Sequence, residues 1–358
     1  MGVKNMRLKT PISLCMIAKN EEAFIGGALE SVKSILGFED MIVADTGSAD
    51  NTREIAAGQG AKVFDFEWRD DFSAARNFAA EKAAHDWILV LDADEEVVGA
   101  DIPGLRSFIK DASAIGKVEM IEMSDREHNH ISRLYNRKIS CYEGSIHEQI
   151  APKGDRRTTR REAPIRAIHH GYLPEIMQAR GKLERNEKLL LKELESNPGD
   201  SYLLFQMGKN FFIGGRDLQR ACAYFEKALS CCGDPRLDFI YTTVECLGYA
   251  LINTGQYAKA LELREKYARQ YGGIPQFRFL SAHIYQNNGM LIEAVECYES
   301  CIGADSVDYK GITSYLSHYN IGVILECVGM PGDAVRMYEN CGDYGPAKAR
   351  LAEMQGGQ

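Results

Sequence analysis

Short apolar runs alternate with stretches of helical periodicity between residues 12 and 92. The runs are ISLCMIA (12–18), MIVAD (41–45), AKVFDF (61–66) and WILVLD (87–92). Strands that are apolar along their length are covered on both faces, and intervening helices make successive strands parallel. The pattern therefore predicts an α/β fold with a Rossmann-like, mostly parallel sheet. Such folds bind ligands at the carboxyl ends of their strands.

Residues 100–175 are less regular than this first part of the chain. KVEMIEMS and ISRLYNRKI are typical of strands that extend the sheet at its edge. KGDRRTTRREAPIR (153–166) is predicted to be a basic loop, which either closes over phosphates or stays solvated.

A longer period begins near residue 176 and indicates a second, all-α domain. Ala260 and Ala294 open similar helical units 34 residues apart, which is the tetratricopeptide period. Gly or Ala stands twelve positions earlier, where two helices of a hairpin must cross closely. The units are ACAYFEKA, ALELREKY, AVECYESC and AVRMYENC. We expect an α-solenoid of about four repeats over 176–358, preceded by the α/β domain over 1–175.

The stretch ILVLDADEEV (88–97) ends an apolar strand in four carboxylates within five positions. The chain has neither a GxGxxG nor a GxxxxGK[ST] loop after its first strand, so the phosphates of a bound nucleotide need another cation. Asp92 and Asp94 are two apart and can face one Mg²⁺ or Mn²⁺ ion. The alternative is an acidic first turn of a short helix, which is the role expected for Glu95 and Glu96.

The composition excludes several classes of function. Lys plus Arg number 42 against 51 Asp plus Glu, and the net charge of −9 argues against a general nucleic-acid binder. No apolar run is long enough to cross a bilayer, so a cytoplasmic protein without a membrane span is expected. None of the ten cysteines stands in a paired CxxC spacing, which argues against a zinc site.

Four motifs in order resemble the family 2 glycosyltransferases of the GT-A fold. They are ISLCMIAKNEE, IVADTGSADNT, DDFSAARNFA and ILVLDADEE. Within that family the chain is most similar to cytosolic enzymes with a tetratricopeptide tail, such as the sublancin-type peptide S-glycosyltransferases. The DFSAARN-like and HE elements are shared with lipopolysaccharide core transferases. The Q-x-x-R-W motif of processive polysaccharide synthases is absent from the sequence.

The resemblance implies a role for each matching residue in binding the nucleotide part of a UDP-sugar. Asp45 matches the aspartate that hydrogen-bonds uracil, although a turn residue is the alternative. Asn20 and Glu21 line the same base pocket, or Asn20 caps the next helix. Arg76 and Asn77 match residues near the diphosphate or base; a surface ion pair is the alternative for Arg76. Asp92 would meet the ribose or a metal-bound water.

The remaining implied roles concern the metal ion and the proton transfer. Asp94 would bind the metal directly. His147, in YEGSIHEQI, would complete the metal site or contact the diphosphate. His169, in AIHHGY, would reach back to the metal or the phosphate; a structural histidine is the alternative for His169. Glu148 is the predicted general base, with Asp70, Asp71 and Glu143 as competitors. Since neighbours on a strand point oppositely, His147 and Glu148 serve one site only if the backbone there is not extended.

These assignments predict a metal-dependent, inverting transfer from a UDP-sugar to a Cys, Ser or Thr side chain of a peptide or protein. The repeats would hold the acceptor or form a homodimer interface. A cell-surface glycan or lipopolysaccharide-type acceptor is the alternative. A tetratricopeptide scaffold with an inactive transferase domain is a rival of another class.

Overall fold

The computed structural model describes residues 10–122, 128–170, 181–234, 236–304 and 311–356. The chain forms two compact units that divide between Leu189 and Leu190. The first is an α/β unit and the second is all helical. The predicted boundary between residues 175 and 176 lies outside the described residues and stays a prediction.

The α/β unit is built on one eight-stranded sheet and a small two-stranded sheet. The large sheet has the order β3-β2-β1-β4-β7-β6-β10-β5, and β8 pairs with β9. The strands are β1 (Ile12–Ala18), β2 (Met41–Asp45), β3 (Lys62–Asp65), β4 (Trp87–Val90), β5 (Glu95–Ala100), β6 (Ala114–Glu122), β7 (His128–Asn136), β8 (Ser140–Glu143), β9 (Gln149–Pro152) and β10 (Thr159–His169). The first four strands are parallel, as the sequence predicts.

Helices cover both faces of the parallel strands. The helices are α1 (Ile25–Ser31), which continues into a π-helical turn (Val32–Leu36), α2 (Thr52–Gly58), α3 (Phe72–Lys82) and α4 (Ile102–Phe108). Alternate strand residues pack on opposite sides: Leu14 belongs to the cluster with Leu29 of α1, and Cys15 to the cluster with Ala79 of α3. Two buried faces explain why these strands are apolar at successive positions.

Three local predictions for this unit are wrong. Glu95 and Glu96 do not start a helix but open β5, because they pair with the distant end of β10, where His169 lies opposite Glu95. The predicted basic loop 153–166 is extended from Thr159 onward, where β10 pairs with β6 on one side and β5 on the other. KVEMIEMS and ISRLYNRKI contribute to β6 and β7, which lie inside the sheet, while β5 forms its edge.

The second unit repeats one packing unit along the chain. The helices are α5 (Lys182–Ser196), which spans the division between the units, α6 (Ser201–Phe212), α7 (Leu218–Cys231), α8 (Asp238–Asn253), α9 (Tyr257–Tyr271), α10 (Pro275–Asn287), α11 (Leu291–Glu299), α12 (Tyr315–Cys327), α13 (Pro331–Glu339) and α14 (Gly345–Gly356). The alanine that opens each predicted unit is fully buried. An added Cβ on Gly322 would lie 2.6 Å from the Tyr338 ring. The close crossing of glycine and aromatic residue that the sequence predicts is therefore confirmed for this hairpin.

Candidate active site at the carboxyl edge of the sheet

Hydrogen bonds connect the loop after β1 to the loop after β2. Asn20 has a left-handed backbone (φ 56°), and its Oδ1 accepts a hydrogen bond from the Ala49 amide at 2.8 Å. The Glu21 amide donates to Thr52 Oγ1 at 2.7 Å. Asn20 does not cap α1, whose first turn has no side-chain cap. Asn20 and Glu21 therefore stand beside the loop that follows Asp45.

Asp45 ends β2 and keeps one carboxylate oxygen unused. The residue is 1% exposed. Its Oδ1 accepts hydrogen bonds from the backbone amides of Gly47 at 3.1 Å and Ser48 at 3.0 Å. Its buried Oδ2 has no hydrogen-bond partner. Such an atom is costly unless a ligand supplies a donor. Asp45 is therefore a turn residue, and its Oδ2 is an acceptor without a donor.

The segment from Asp92 to Glu95 closes as a turn between β4 and β5. The Glu95 amide donates to the Asp92 carbonyl at 3.0 Å, and the Asp92 amide donates to Glu95 Oε2 at 2.9 Å. Glu95 is thereby directed inward and is only 2% exposed. The carboxylate of Glu95 thus stabilises the turn from its buried side.

Two buried arginines join three carboxylates into one network. Arg76 Nη2 and Arg133 Nη2 each lie 2.8 Å from one oxygen of Asp92. Arg76 Nε also lies 2.5 Å from Glu148 Oε1, and Arg133 bonds Glu95. The surface ion pair considered for Arg76 is wrong, because the residue is 6% exposed. The arrangement fixes Asp92, the turn and Glu148 relative to one another.

The network determines the charge state of its members. Desolvation favours the neutral form of Asp92, but Arg133 and Arg76 outweigh it and hold the pKa of Asp92 well below its usual range. Burial raises the pKa of Glu95; Arg133 opposes this shift and Asp92 adds to it. Burial works against the charge of Arg76, yet Asp92 and Glu148 keep its pKa above the usual value. Asp92 is therefore ionised and fully engaged by protein cations.

Asp94 and His169 form a pair beside that network, with His169 opposite Glu95 in the sheet. His169 Nε2 lies 3.5 Å from Asp94 Oδ2, at the carboxyl end of β10. A carboxylate and an imidazole that converge in this way are ligand types that Mg²⁺ or Mn²⁺ accepts. Within the described part of the chain no three His, Cys, Asp or Glu side chains are grouped to hold a metal. The Asp94–His169 pair therefore offers two ligand groups, and the role of His147 in the metal site stays a prediction.

The loop between β8 and β9 brings Glu148 to the site. His147 has a left-handed backbone (φ 52°), so the chain is not extended there and adjacent side chains need not point oppositely. Of the predicted competitors, Asp71 caps α3 through the Ala74 amide, and Asp70 Oδ1 accepts from the Trp68 indole at 2.9 Å. Glu143 is exposed at the end of β8. Of these four carboxylates, Glu148 is the one joined to the network.

Asn77 follows Arg76 on α3 but binds the backbone of β8 and not a carboxylate of the network. Its carboxamide donates to the Tyr142 carbonyl at 2.9 Å and accepts from the Tyr142 amide at 3.0 Å. The Tyr142 ring in turn faces the Arg76 guanidinium at 5.4 Å. The carboxamide nitrogen and oxygen of Asn77 are thus both bound to the β8 backbone. Asn77 is linked to the network through Tyr142.

Arg133, Glu95 and Tyr142 are site residues that the sequence reasoning missed. Arg133 was available as a signal, because it is the first of three cations in the predicted strand ISRLYNRKI, the others being Arg137 and Lys138. A charged residue on an interior strand must be paired to be buried. The strand was predicted at the edge of the sheet, however, where an arginine is solvated and needs no partner.

Comparisons with known proteins agree with this architecture. Residues 13–171 match the family model described as Glycosyl transferase family 2, and residues 275–308 match that of the Tetratricopeptide repeat. A TPR repeat-containing protein of Synechococcus elongatus is 34% identical over 230 residues, which cover 61% of this chain and 56% of that protein. The SPbeta prophage-derived glycosyltransferase SunS of Bacillus subtilis is 28% identical over 232 residues, 62% of this chain and 54% of SunS.

The likeness to solved structures is more distant. S. aureus TarS matches with a TM-score of 0.38 and 14% identity over 76% of this chain and 55% of that chain. The chain spans about half the length of the curated relatives it matches. No helix in the described ranges is both long and apolar enough to cross a membrane.

Proposed function

We propose that this chain, whose residues 13–171 are a glycosyl transferase family 2 domain followed by tetratricopeptide-like repeats, moves a sugar from a UDP-sugar to a peptide or protein side chain. The observation that carries the proposal is the grouping of an unpartnered Asp45 oxygen, the Asp94–His169 pair and Glu148 at one edge of the sheet. Each element suits one part of such a donor or its reaction.

Asp45 favours the binding of a uracil base over that of a cytosine base. Its free Oδ2 is an acceptor, and uracil presents an N3–H donor where cytosine has a lone pair. The loop of Asn20 and Glu21 is hydrogen-bonded to the loop that follows Asp45, and these bonds hold the surroundings of the Asp45 carboxylate in place. Recognition of the base would therefore be largely formed before the donor arrives.

The Asp94–His169 pair is the proposed site for Mg²⁺ or Mn²⁺. Asp94 and His169 would hold the ion at the carboxyl edge, where it would supply positive charge to the departing diphosphate. Asp92 remains bound to Arg76 and Arg133. In this proposal Asp92 orients the turn that presents Asp94, and any contact with the ribose or a metal-bound water uses its exposed side.

Glu148 is the proposed general base. Arg76 occupies its Oε1, so Oε2 accepts the proton of the attacking hydroxyl or thiol. The acceptor oxygen or sulfur bonds to the anomeric carbon as the bond from that carbon to the phosphate oxygen breaks, and UDP leaves with the electron pair. Attack from the face opposite UDP inverts the anomeric centre.

Donor binding is tested with nucleotides alone. Wild-type protein should bind UDP more tightly than CDP, and Asp45→Asn should weaken UDP by about 10- to 150-fold, as expected for a lost hydrogen bond to a charged group. Asp155→Asn, an exposed carboxylate in the turn between β9 and β10, is the matched control. Equal affinities for UDP and CDP in the wild type would remove the assigned role of Asp45.

Turnover is tested with a panel of UDP- and GDP-sugars and measurement of released nucleotide. Asp94→Asn should abolish Mn²⁺-dependent release, and Glu148→Gln should lose transfer but keep UDP binding. Asp343→Asn, an exposed carboxylate of the helical unit, is the control. Absence of metal-dependent nucleotide affinity in the wild type would favour the scaffold. Transfer to a glycan but to no peptide would favour the alternative acceptor class.

A further inference from the structure

A crevice in the α/β unit lies at the edge of the sheet opposite the candidate active site. It has a volume of about 530 Å³, within the range of small-molecule sites. Its walls come from the second half of α3, the end of β7 and the β8–β9 hairpin. Arg137 follows β7 and its amide bonds the carbonyl of Asp86, just before β4 begins, so the crevice adjoins the amino ends of the parallel strands. Asn77, a predicted donor-binding residue whose carboxamide is bound to the Tyr142 backbone, also lines the crevice. The function proposed above uses none of the other lining residues.

The lining of the crevice is basic although the protein is acidic. Arg137, Lys138 and Lys153 line it together with one carboxylate, that of Glu81, while the whole chain has a net charge of −9. Asp86 lies 2.7 Å from the Lys138 ammonium and 3.8 Å from Arg137 Nε, so it offsets part of both charges. Arg137 Nη1 also donates to the Ala80 carbonyl at 2.5 Å. The Lys153 ammonium instead donates to the Arg137 carbonyl at 2.7 Å, a bond that leaves its charge in place. Since like charges repel, such a cluster favours an anionic occupant.

The remaining walls offer both apolar and polar surface. Ala80 and the ring of Tyr135 contribute apolar area, and Ser140 and Cys141 contribute small polar groups. Tyr135 is fully buried and its hydroxyl has no hydrogen-bond partner. A bare phosphate ion would leave most of the volume unfilled, whereas an organic group attached to the phosphate covers the apolar wall.

We propose that this crevice binds a small organic phosphate monoester, with its phosphate on Lys153 and Arg137. The proposal does not depend on the transferase activity. It assigns the protein a second anion site, separate from the one expected for the donor diphosphate.

Cys141 provides a reporter inside the crevice. Its thiol is partly buried, and burial raises its pKa, with Lys153 opposing the shift. Alkylation by neutral iodoacetamide at mildly alkaline pH, read by peptide mass spectrometry, measures its accessibility. Cys231 and Cys327 are exposed thiols of the helical unit and serve as internal references. Glycerol 3-phosphate is the probe, with inorganic phosphate, glycerol and sodium chloride of equal ionic strength as the other arms.

The probe should slow alkylation of Cys141 about threefold at twice its Kd, because protection follows the fraction of free sites, and should leave the references unchanged. Lys153→Gln should lose this protection, whereas Lys110→Gln, an exposed lysine elsewhere on the unit, should keep it. Each variant is compared with itself without probe, so a changed thiol pKa does not enter the ratio.

Several outcomes would overturn the proposal. Equal protection by chloride would mean screening only, and equal protection by glycerol would mean that the phosphate is not recognised. Equal protection by inorganic phosphate at the same concentration would remove the organic part of the assignment. Loss of protection in Asp45→Asn, which alters only the opposite edge, would place the anion at the donor site.

Discussion

Arg133 is the residue whose removal most directly tests the buried network. In Arg133→Met the apolar side chain fills a similar volume but takes away the cation beside Glu95, which is 2% exposed. Asp92 retains Arg76 at 2.8 Å, so the uncompensated charge falls on Glu95. Breaking a buried pair in this way costs about 3–5 kcal/mol.

The loss is measured by urea unfolding followed through tryptophan fluorescence. The chain has two tryptophans, Trp68 and Trp87, and both lie in the α/β unit, so the signal reports that unit rather than the repeats. With m of about 2–3 kcal/mol/M, the unfolding midpoint should fall by about 1–2.5 M.

Two further variants test the cause of the loss. Glu95→Gln added to Arg133→Met should recover much of it, because the unpaired charge is gone. Arg161→Met is the matched control: its partner Asp111 is 3.1 Å away, but both side chains are about half exposed, so removal should cost about 0–1 kcal/mol. A loss below about 1 kcal/mol for Arg133→Met, or no recovery in the double variant, would refute the assigned network.

Two further predictions concern packing and pH. Gly322→Ala places a Cβ 2.6 Å from the Tyr338 ring and should destabilise the helical unit by about 1–3 kcal/mol. Gly332→Ala, which has open space around its Cβ, should not destabilise it. Thermal unfolding followed by circular dichroism compares the two variants, and equal melting temperatures would contradict the close helix crossing. Asp40 is buried, which opposes its charge, but bonds from Lys62, Ser13 and the Ala84 amide hold the pKa of Asp40 below its usual value. Its stabilisation is therefore present above the unfolded pKa of about 4 and lost as pH falls below it. Asp40→Asn should cost about 1.5–3 kcal/mol at pH 7 and progressively less toward pH 3, and a pH-independent difference would contradict this.

Most of the fold follows from local patterns. Apolar runs that are buried on both faces gave the four parallel strands, and the recurrence of Gly or Ala before an aromatic residue gave the helical hairpins. These signals survive because a continuous apolar strand or a close helix crossing is satisfied in few other ways. Glu95 and Glu96 are the counterexample: their acidity suits a helix start, yet pairing with His169 and Ile168 of β10 makes them a strand.

The residues of the candidate site also fall into those that the sequence reveals and those that only the structure reveals. Asp45, Asp92 and Asp94 were found because each ends or follows a recognisable strand, whereas His169 was found only through the family resemblance of AIHHGY. Arg133 was missed because its importance depends on β7 lying between β4 and β6, which no local pattern states. The prediction that His147 joins the metal site, and the roles of Asn20, Glu21, Arg76, Asn77 and Glu148 in binding and transfer, stay predictions for the experiments above.

The sequence by itself determined the two kinds of domain, the edge of the sheet that carries the acidic run, and the residue types that meet there. Periodicity and strand ends encode these features within short windows of the chain. Only the tertiary structure decided how the charges are shared. Asp92 is bound by two arginines 16 and 41 residues away, which leaves Asp94 to pair with His169. The physical reason is desolvation, because a buried charge takes its partner from whichever distant segment folding brings beside it.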